Sequence, residues 1–225
     1  MLISRTKNNK YEELQQIRAY NVKHSYNVSN FLEDYRRLLQ RAVDEIWNNI
    51  VWIEKKNFYR VKGNKNYYVT RIIPIIPKSN EFKNHYLRNS LMKDWRYSKH
   101  YVDSAIKQAY SIVKSWRRNY IKGERRRERP TVRKRFVRIK ETLYSYKNGK
   151  IKVSIKPYEE YIMFDISKAW FLRRAKGKIG ELILNEKYLT ITFRSREKIK
   201  TKGSIAWDCN EKSLDGFSPE QDGLE

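Results

Sequence analysis

The chain has 225 residues, with 50 Lys+Arg against 25 Asp+Glu and a formal charge of +25 at pH 7. Hydrophobic residues make up 40% and aromatics 14%, which excludes a wholly disordered basic tail, since such chains are poor in aromatics. No apolar run approaches the ~18 residues of a membrane-spanning helix, no apolar secretory leader is expected, and the single cysteine, Cys209, excludes a disulfide framework or multi-cysteine zinc site within the chain. These features predict a cytoplasmic protein with a polyanionic partner and no membrane contact.

Residues 1–14 are polar and read as frayed, and Ile17 to Lys23 reads as a short strand. Asn30 and Glu33 form a capping pair ahead of an apolar stripe: Phe31, Leu32, Tyr35, Leu38, Leu39, Ala42, Val43, Ile46, Trp47 and Ile50. Gly63, Pro74 and Pro77 interrupt residues 57–79, which read as an extended connector with a short hairpin at most. A second helix is predicted from Glu81 to Trp95, on Leu87, Leu91 and Trp95. A third runs from about His100 to Lys122, on Val102, Ala105, Ile106, Ala109, Ile112 or Val113, Trp116 and Tyr120, with Gly123 placed to end it. The Tyr and Trp residues on these stripes read as core rather than as base-stacking platforms.

After Pro130 the period becomes two. Asn148-Gly149 signals a type I′ hairpin that sets Tyr144 opposite Val153 and Tyr146 opposite Ile151. Tyr161–Phe164 reads as a further strand, Glu181–Leu184 and Tyr188–Phe193 as another hairpin, and Ser204–Asp208 as a last strand before a loose acidic end with Glu220, Asp222 and Glu225. Several short strands in succession suggest a small barrel or sandwich.

The charge is concentrated. Between Arg117 and Lys140 lie 12 basic residues against Glu124 and Glu128. Arginine grips phosphate through a planar fork and stacks on bases. The candidate nucleic-acid-binding residues are therefore Arg117, Arg118, Lys122, Arg125, Arg126, Arg127, Arg129, Arg133, Lys134 and Arg135. The plainer reading of such a run is a solvated face, but this one joins two patterned regions. His24, His85 and His100 show no metal-ligand spacing, no glycine motif cradles a phosphate, and Cys209 lacks a neighbouring base. Asp208, at the end of an apolar strand, is the one suggestively placed carboxylate.

Three stretches line up in order. They are Phe31-Leu32-x-x-Tyr35-x-x-Leu38-Leu39, then Arg71-Ile72-Ile73-Pro74-Ile75-Ile76-Pro77, then Ile205-Ala206-Trp207-Asp208-Cys209-Asn210 running on to Phe217. With the arginine-rich joint between them, the chain resembles archaeal TnpB proteins, the transposon-encoded RNA-guided DNA endonucleases also called transposases. The resemblance covers nearly the whole chain but about the N-terminal half of a family member. It implies an α+β fold: a small wedge-like β-barrel with an inserted helical bundle, then the first strand of an incomplete RNase H-like (RuvC) domain. The implied divisions are 1–27 as the barrel's N-terminal strand segment, 28–122 as a helical recognition-like lobe, 123–203 as the β-barrel region and 204–225 as the RuvC start.

By resemblance, Asp208 matches the first catalytic acid, vestigial here. The family uses Mg²⁺ at the RuvC site and a structural Zn²⁺. This chain carries no complete metal site and no cofactor of its own, so by itself it is not expected to act as an enzyme. The implied partners are guide RNA, duplex DNA, or both, with a second chain as a source for the rest of RuvC. A second function class stays open, a stand-alone basic structural RNA-binding protein of ribosomal type.

Overall fold

The structure, a computed structural model, describes residues 3–4, 11–60, 66–175, 177–200, 206–209 and 214–217. Strands β1 (Ile3–Ser4) and β2 (Tyr11–Lys23) open the chain, so residues 11–14 belong to a long strand rather than a frayed end. Helix α1 (Ser29–Asn48) buries Phe31, Leu32, Tyr35, Leu38, Leu39, Ala42, Val43 and Ile46, the stripe that the spacing predicts. Its cap differs from expectation. Val28 holds the cap position with no side-chain hydrogen bond. Glu33 instead accepts from Arg36 at 2.6 Å and Arg37 at 3.2 Å, because two guanidiniums one turn on outcompete a backbone N–H for the carboxylate.

The expected connector is a full hairpin, β3 (Val51–Arg60) and β4 (Asn66–Ile75), paired from Val51↔Ile75 to Arg60↔Asn66. Pro74 breaks no ladder, since each strand of a two-stranded ribbon is an edge. Gly63 lies outside the described residues. The predicted helix 81–95 is a π-helical turn, Glu81–Leu87, running into the short α2 (Arg88–Met92). Leu87 and Leu91 are buried as their spacing requires, but Trp95 lies beyond the helix and donates its indole N–H to Ser98 O at 2.9 Å.

Helix α3 (Lys99–Lys122) buries Tyr101, Val102, Ala105, Ile106, Ala109, Tyr110, Val113 and Trp116, and Gly123 ends it at φ 84°. Three alanines at the α1–α3 contact (Ala42, Ala105, Ala109) are fully buried, which lets these helices pack closely. Two tyrosines sit inside: Tyr101 Oη donates to Ser154 O at 2.8 Å and Tyr35 Oη to Gln108 Oε1 at 3.3 Å. Burial pushes both phenols above their ordinary pKa range.

Strands follow: β5 (Val137–Ile139), β6 (Tyr144–Lys147), β7 (Lys150–Lys156), β8 (Glu160–Asp165), β9 (Lys178–Leu184), β10 (Tyr188–Lys200), β11 (Ala206–Cys209) and β12 (Leu214–Phe217). The hairpin register is the predicted one, Tyr144↔Val153 and Tyr146↔Ile151, with Asn148 at φ 50° and Gly149 at φ 73°. The long strands make an antiparallel five-stranded sheet of order β1-β2-β10-β9-β5, so the chain leaves this sheet after β2 and returns at β5. A separate three-stranded sheet holds β6-β7-β8.

The fold is mixed α+β, and the expected barrel is corrected: among the described residues no sheet closes on itself. The tight turns at 148–149 and 185–187 pair strands locally, while a 3₁₀ turn at Glu141–Leu143 turns the chain from one sheet into the other. Tyr144 Oη donates to Gly180 O at 2.8 Å and ties the two sheets together. β11 and β12 pair as a two-stranded ribbon with Asp208 opposite Asp215, so residues 214–217, expected to be loose, are paired. Ser204, Ile205, Asn210 and the acids Glu220, Asp222 and Glu225 lie outside the described residues.

Candidate nucleic-acid interface

The outer face of α3 carries no acid. Its exposed residues are Lys99, His100, Lys107, Ser111, Lys114, Ser115, Arg118 and Lys122, and those from Lys107 onward recur at steps of three and four. The helix's single acid, Asp103, is held by Arg88 at 2.9 Å. Past Gly123 the chain runs without regular structure from Glu124 to Phe136, and this segment holds six of the eight candidate arginines.

That segment is fixed by its backbone. Trp116 Nε1 donates to Arg126 O at 3.2 Å. Gln40 on α1 grips it twice, donating to Pro130 O at 3.2 Å and accepting from Val132 N–H at 2.7 Å. Arg36 donates to Val132 O at 3.2 Å, and the Val132 side chain is buried. A loop already ordered loses less conformational entropy when a ligand binds.

The ten predicted contact residues divide into two groups. Arg117 donates to Pro74 O at 2.8 Å. Arg127 lies 3.8 Å from the centre of the Trp52 ring, in cation–π contact. Arg129 pairs with Asp44 at 3.3 Å. Arg135 bridges Glu33 at 3.6 Å and Glu186 at 3.2 Å. Lys122 approaches Glu124 at 3.8 Å with both side chains exposed, a pairing worth little in water. Arg118, Arg125, Arg126, Arg133 and Lys134 are exposed and make no ion pair among the described residues. In the first group Arg127, Arg129 and Arg135 fix the loop and Arg117 ties α3 to β4, whereas the second group is free to bind.

Three of the free group, Arg125, Arg126 and Arg133, line a groove of about 630 Å³ together with the Asp44-paired Arg129. Ser111, Ser115 and Asn119, one turn apart on α3, form its floor, and Arg125, Arg126, Arg129 and Arg133 its walls, with Glu128 as the one acid. Hydroxyls and an amide beside guanidiniums are the donors that phosphate oxygens accept. On the other flank of α3 a cleft of about 720 Å³ places Lys78, Lys114, Arg118 and Lys122 around Ile75, Pro77 and Ile121. Sequence reasoning missed Lys114, Ser111, Ser115 and Asn119. Their spacing on the face opposite the buried stripe was the signal that could have found them.

Glu33 ties α1 to this loop. Its hydrogen bond from Arg36, with further help from Arg37, holds the carboxyl down at about 2 from its ordinary value of 4.5. A carboxyl depressed in the folded state adds stability at neutral pH that is lost as pH falls from its ordinary range through about 2. Thermal melts between pH 5 and pH 2 should therefore show a larger fall for the wild type than for Glu33→Gln. Equal falls would remove Glu33 from the acid limb.

The predicted acid, Asp208, is placed in β11, with Asp215 of β12 as its register partner. Among the described residues no group of three or more His, Cys, Asp or Glu comes together in a way that could hold a metal ion. No helix among them is long and apolar enough to cross a membrane.

The model of the Uncharacterized protein MJ0013 family matches residues 31–154, from α1 through most of β7, which includes the whole groove. The chain belongs to this family. It is 46% identical over 145 residues to Uncharacterized protein MJ0013 of Methanocaldococcus jannaschii, covering 62% of this chain and 89% of that protein. It is also 38% identical over 220 residues to TnpB-like protein MJ1635 of the same organism, covering 96% of this chain and 49% of that protein. The resemblance to TnpB proteins thus extends over nearly the whole chain, and the chain spans about half the length of MJ1635.

Proposed function

We propose that this member of the MJ0013 family is the nucleic-acid-binding N-terminal portion of a TnpB-like, transposon-associated, RNA-guided DNA endonuclease. It holds guide RNA, target DNA, or both, and does not cut by itself. The observation that carries the reading is the groove on α3, walled by arginines that the fold holds in place and largely leaves unpaired. The helical segment between β2 and β5 takes the place of the family's recognition insertion, and β11 that of its first RuvC strand.

Two-metal cleavage draws carboxylates from several strands to hold both ions. Asp208 and Asp215 supply two from one ribbon, short of that requirement, so no catalytic step is assigned to this chain. A tetrahedral zinc site needs four ligands, and Cys209 is the only cysteine.

Two measurements test this. Binding to structured RNA or duplex DNA should weaken with salt at a log–log slope of roughly −5 to −7 on duplex, as expected for six to eight neutralised phosphates. A salt-independent affinity would overturn the reading. In a nuclease time course with Mg²⁺ or Mn²⁺ the chain alone should leave DNA uncut, and Asp208→Ala should bind as the wild type does. Metal-dependent cutting lost in Asp208→Ala would show that another chain completes the site.

A further inference from the structure

Away from the groove, the connection between β8 and β9 carries an unexplained aromatic. Of the tryptophans whose side chains are described, Trp47, Trp52, Trp95 and Trp116 are buried or half-buried, whereas Trp170 is 67% exposed. It sits at the start of a 3₁₀ turn, Trp170–Arg173, whose next residue, Phe171, is buried. Phe171 stacks on Tyr20 at 4.7 Å and meets Phe193 at 6.1 Å, which pins the turn to the five-stranded sheet. Backbone bonds from Arg174 N–H and Ala175 N–H to Phe171 O, at 2.9 and 2.7 Å, close it. The Trp170 ring stands edge-on to Tyr20 at 5.7 Å, so it is held by its edge contacts while most of its surface meets water.

The surroundings are cationic. Residues 166–180 contain Lys168, Arg173, Arg174, Lys176 and Lys178 and no acid. Arg174 lies 5.9 Å from the Trp170 ring centre, and Lys168, Arg173 and Lys178 make no ion pair among the described residues. An exposed indole with Arg174 beside its ring, in a segment rich in cations, offers a π-face for a base and charge for the flanking phosphates. A membrane anchor would need several apolar side chains on one surface, and here the neighbouring Phe171 is turned inward.

We propose that Trp170 is a stacking platform for an unpaired nucleobase. With Lys168, Arg173, Arg174 and Lys178 it forms a second nucleic-acid site, selective for single strands and distinct from the groove on α3. Single-stranded RNA and DNA share the required chemistry.

The test measures affinities of the full chain for U-rich RNA and oligo-dT of about 12 nucleotides and for a duplex of similar length. Trp170→Ala and Trp170→Leu should weaken single-strand binding about tenfold, with Trp170→Phe retaining most of it, because stacking needs a π-face and not merely an apolar side chain. Duplex affinity should stay within about twofold of wild type in all three. Tryptophan fluorescence should be quenched by oligo-dT in the wild type and less so in Trp170→Phe. The relative strength of the RNA and DNA arms assigns the natural strand.

Unchanged single-strand binding in Trp170→Ala, or equal losses on single strand and duplex, would overturn the proposal. So would vesicles of anionic phosphatidylglycerol whose binding depends on Trp170 while oligonucleotide binding does not. Failure of the groove reading is separable, because it would appear as duplex affinity insensitive to the loop arginines.

Discussion

Replacing Arg118, Arg125, Arg126, Arg133 and Lys134 with alanine should flatten the salt dependence of duplex binding by about 4 on the log–log slope. Between 200 and 50 mM salt the wild type should then gain roughly a hundredfold or more affinity over the variant. The structure makes this group the decisive one, since its members are exposed and unpaired among the described residues. Replacing Arg127, Arg129 and Arg135 should give a different signature. Arg127 lies on Trp52, Arg129 on Asp44, and Arg135 between Glu33 and Glu186. Their loss should loosen the loop and lower thermal stability more than it flattens the slope. If the set of five and the set of three substitutions behave alike, the division of the basic residues into builders and binders is wrong. Salt titrations by fluorescence anisotropy, paired with thermal melts, decide between them.

The largest expected effect on stability comes from a glycine outside the helices. Gly177 adopts φ 99°, and a Cβ there would sit 2.1 Å from Arg194 O and 2.6 Å from Arg194 C. Backbone of the neighbouring strand β10 cannot swing away as a side-chain tip does. Gly177→Ala should cost roughly 3 kcal/mol from clash and left-handed strain together, a fall of roughly 6–12 °C in melting temperature. Gly123 provides the control, with φ 84° and nothing within 4 Å of the added Cβ. Gly123→Ala should carry the left-handed penalty alone, about 1 kcal/mol. Calorimetry finding the two variants equally stable would show that the approach of Arg194 is easily relieved.

How much of this was legible in the sequence varied with the kind of interaction. The buried stripes of α1 and α3 were readable because helical period and burial are the same signal. The register of β6 and β7 was readable because Asn148-Gly149 fixes the turn and one residue of slip would turn a strand's apolar set outward. The full length of the hairpin β3–β4 was not, because Pro74 reads as a breaker unless one knows that its strand is an edge. The capping role expected of Asn30 and Glu33 failed to a stronger competitor, the arginines at 36 and 37.

For the interface, composition located the arginine-rich segment but could not sort it. That Arg127 rests on Trp52, or that Gln40 holds Pro130 and Val132, depends on contacts between residues distant in the chain. The floor of the groove escaped notice because Ser111, Ser115 and Asn119 are ordinary polar residues until an arginine loop is folded over them.

The pairing of β2 with β10 joins Lys23 to Tyr188 and Tyr11 to Lys200. During synthesis at ~5–20 residues per second, β2 emerges roughly 8–30 s before its partner. Over that interval α1, the β3–β4 hairpin and α3 leave the ribosome and can assemble from their own contacts, while β2 waits with an unsatisfied backbone edge. The sheet thus closes only after the helices have emerged, and slowed translation before Tyr188 prolongs the time in which an open strand can pair with the wrong chain. A ribosome-stalled product ending before Tyr188 should accordingly be helical yet prone to aggregate, the two properties separating at the point where β10 becomes available.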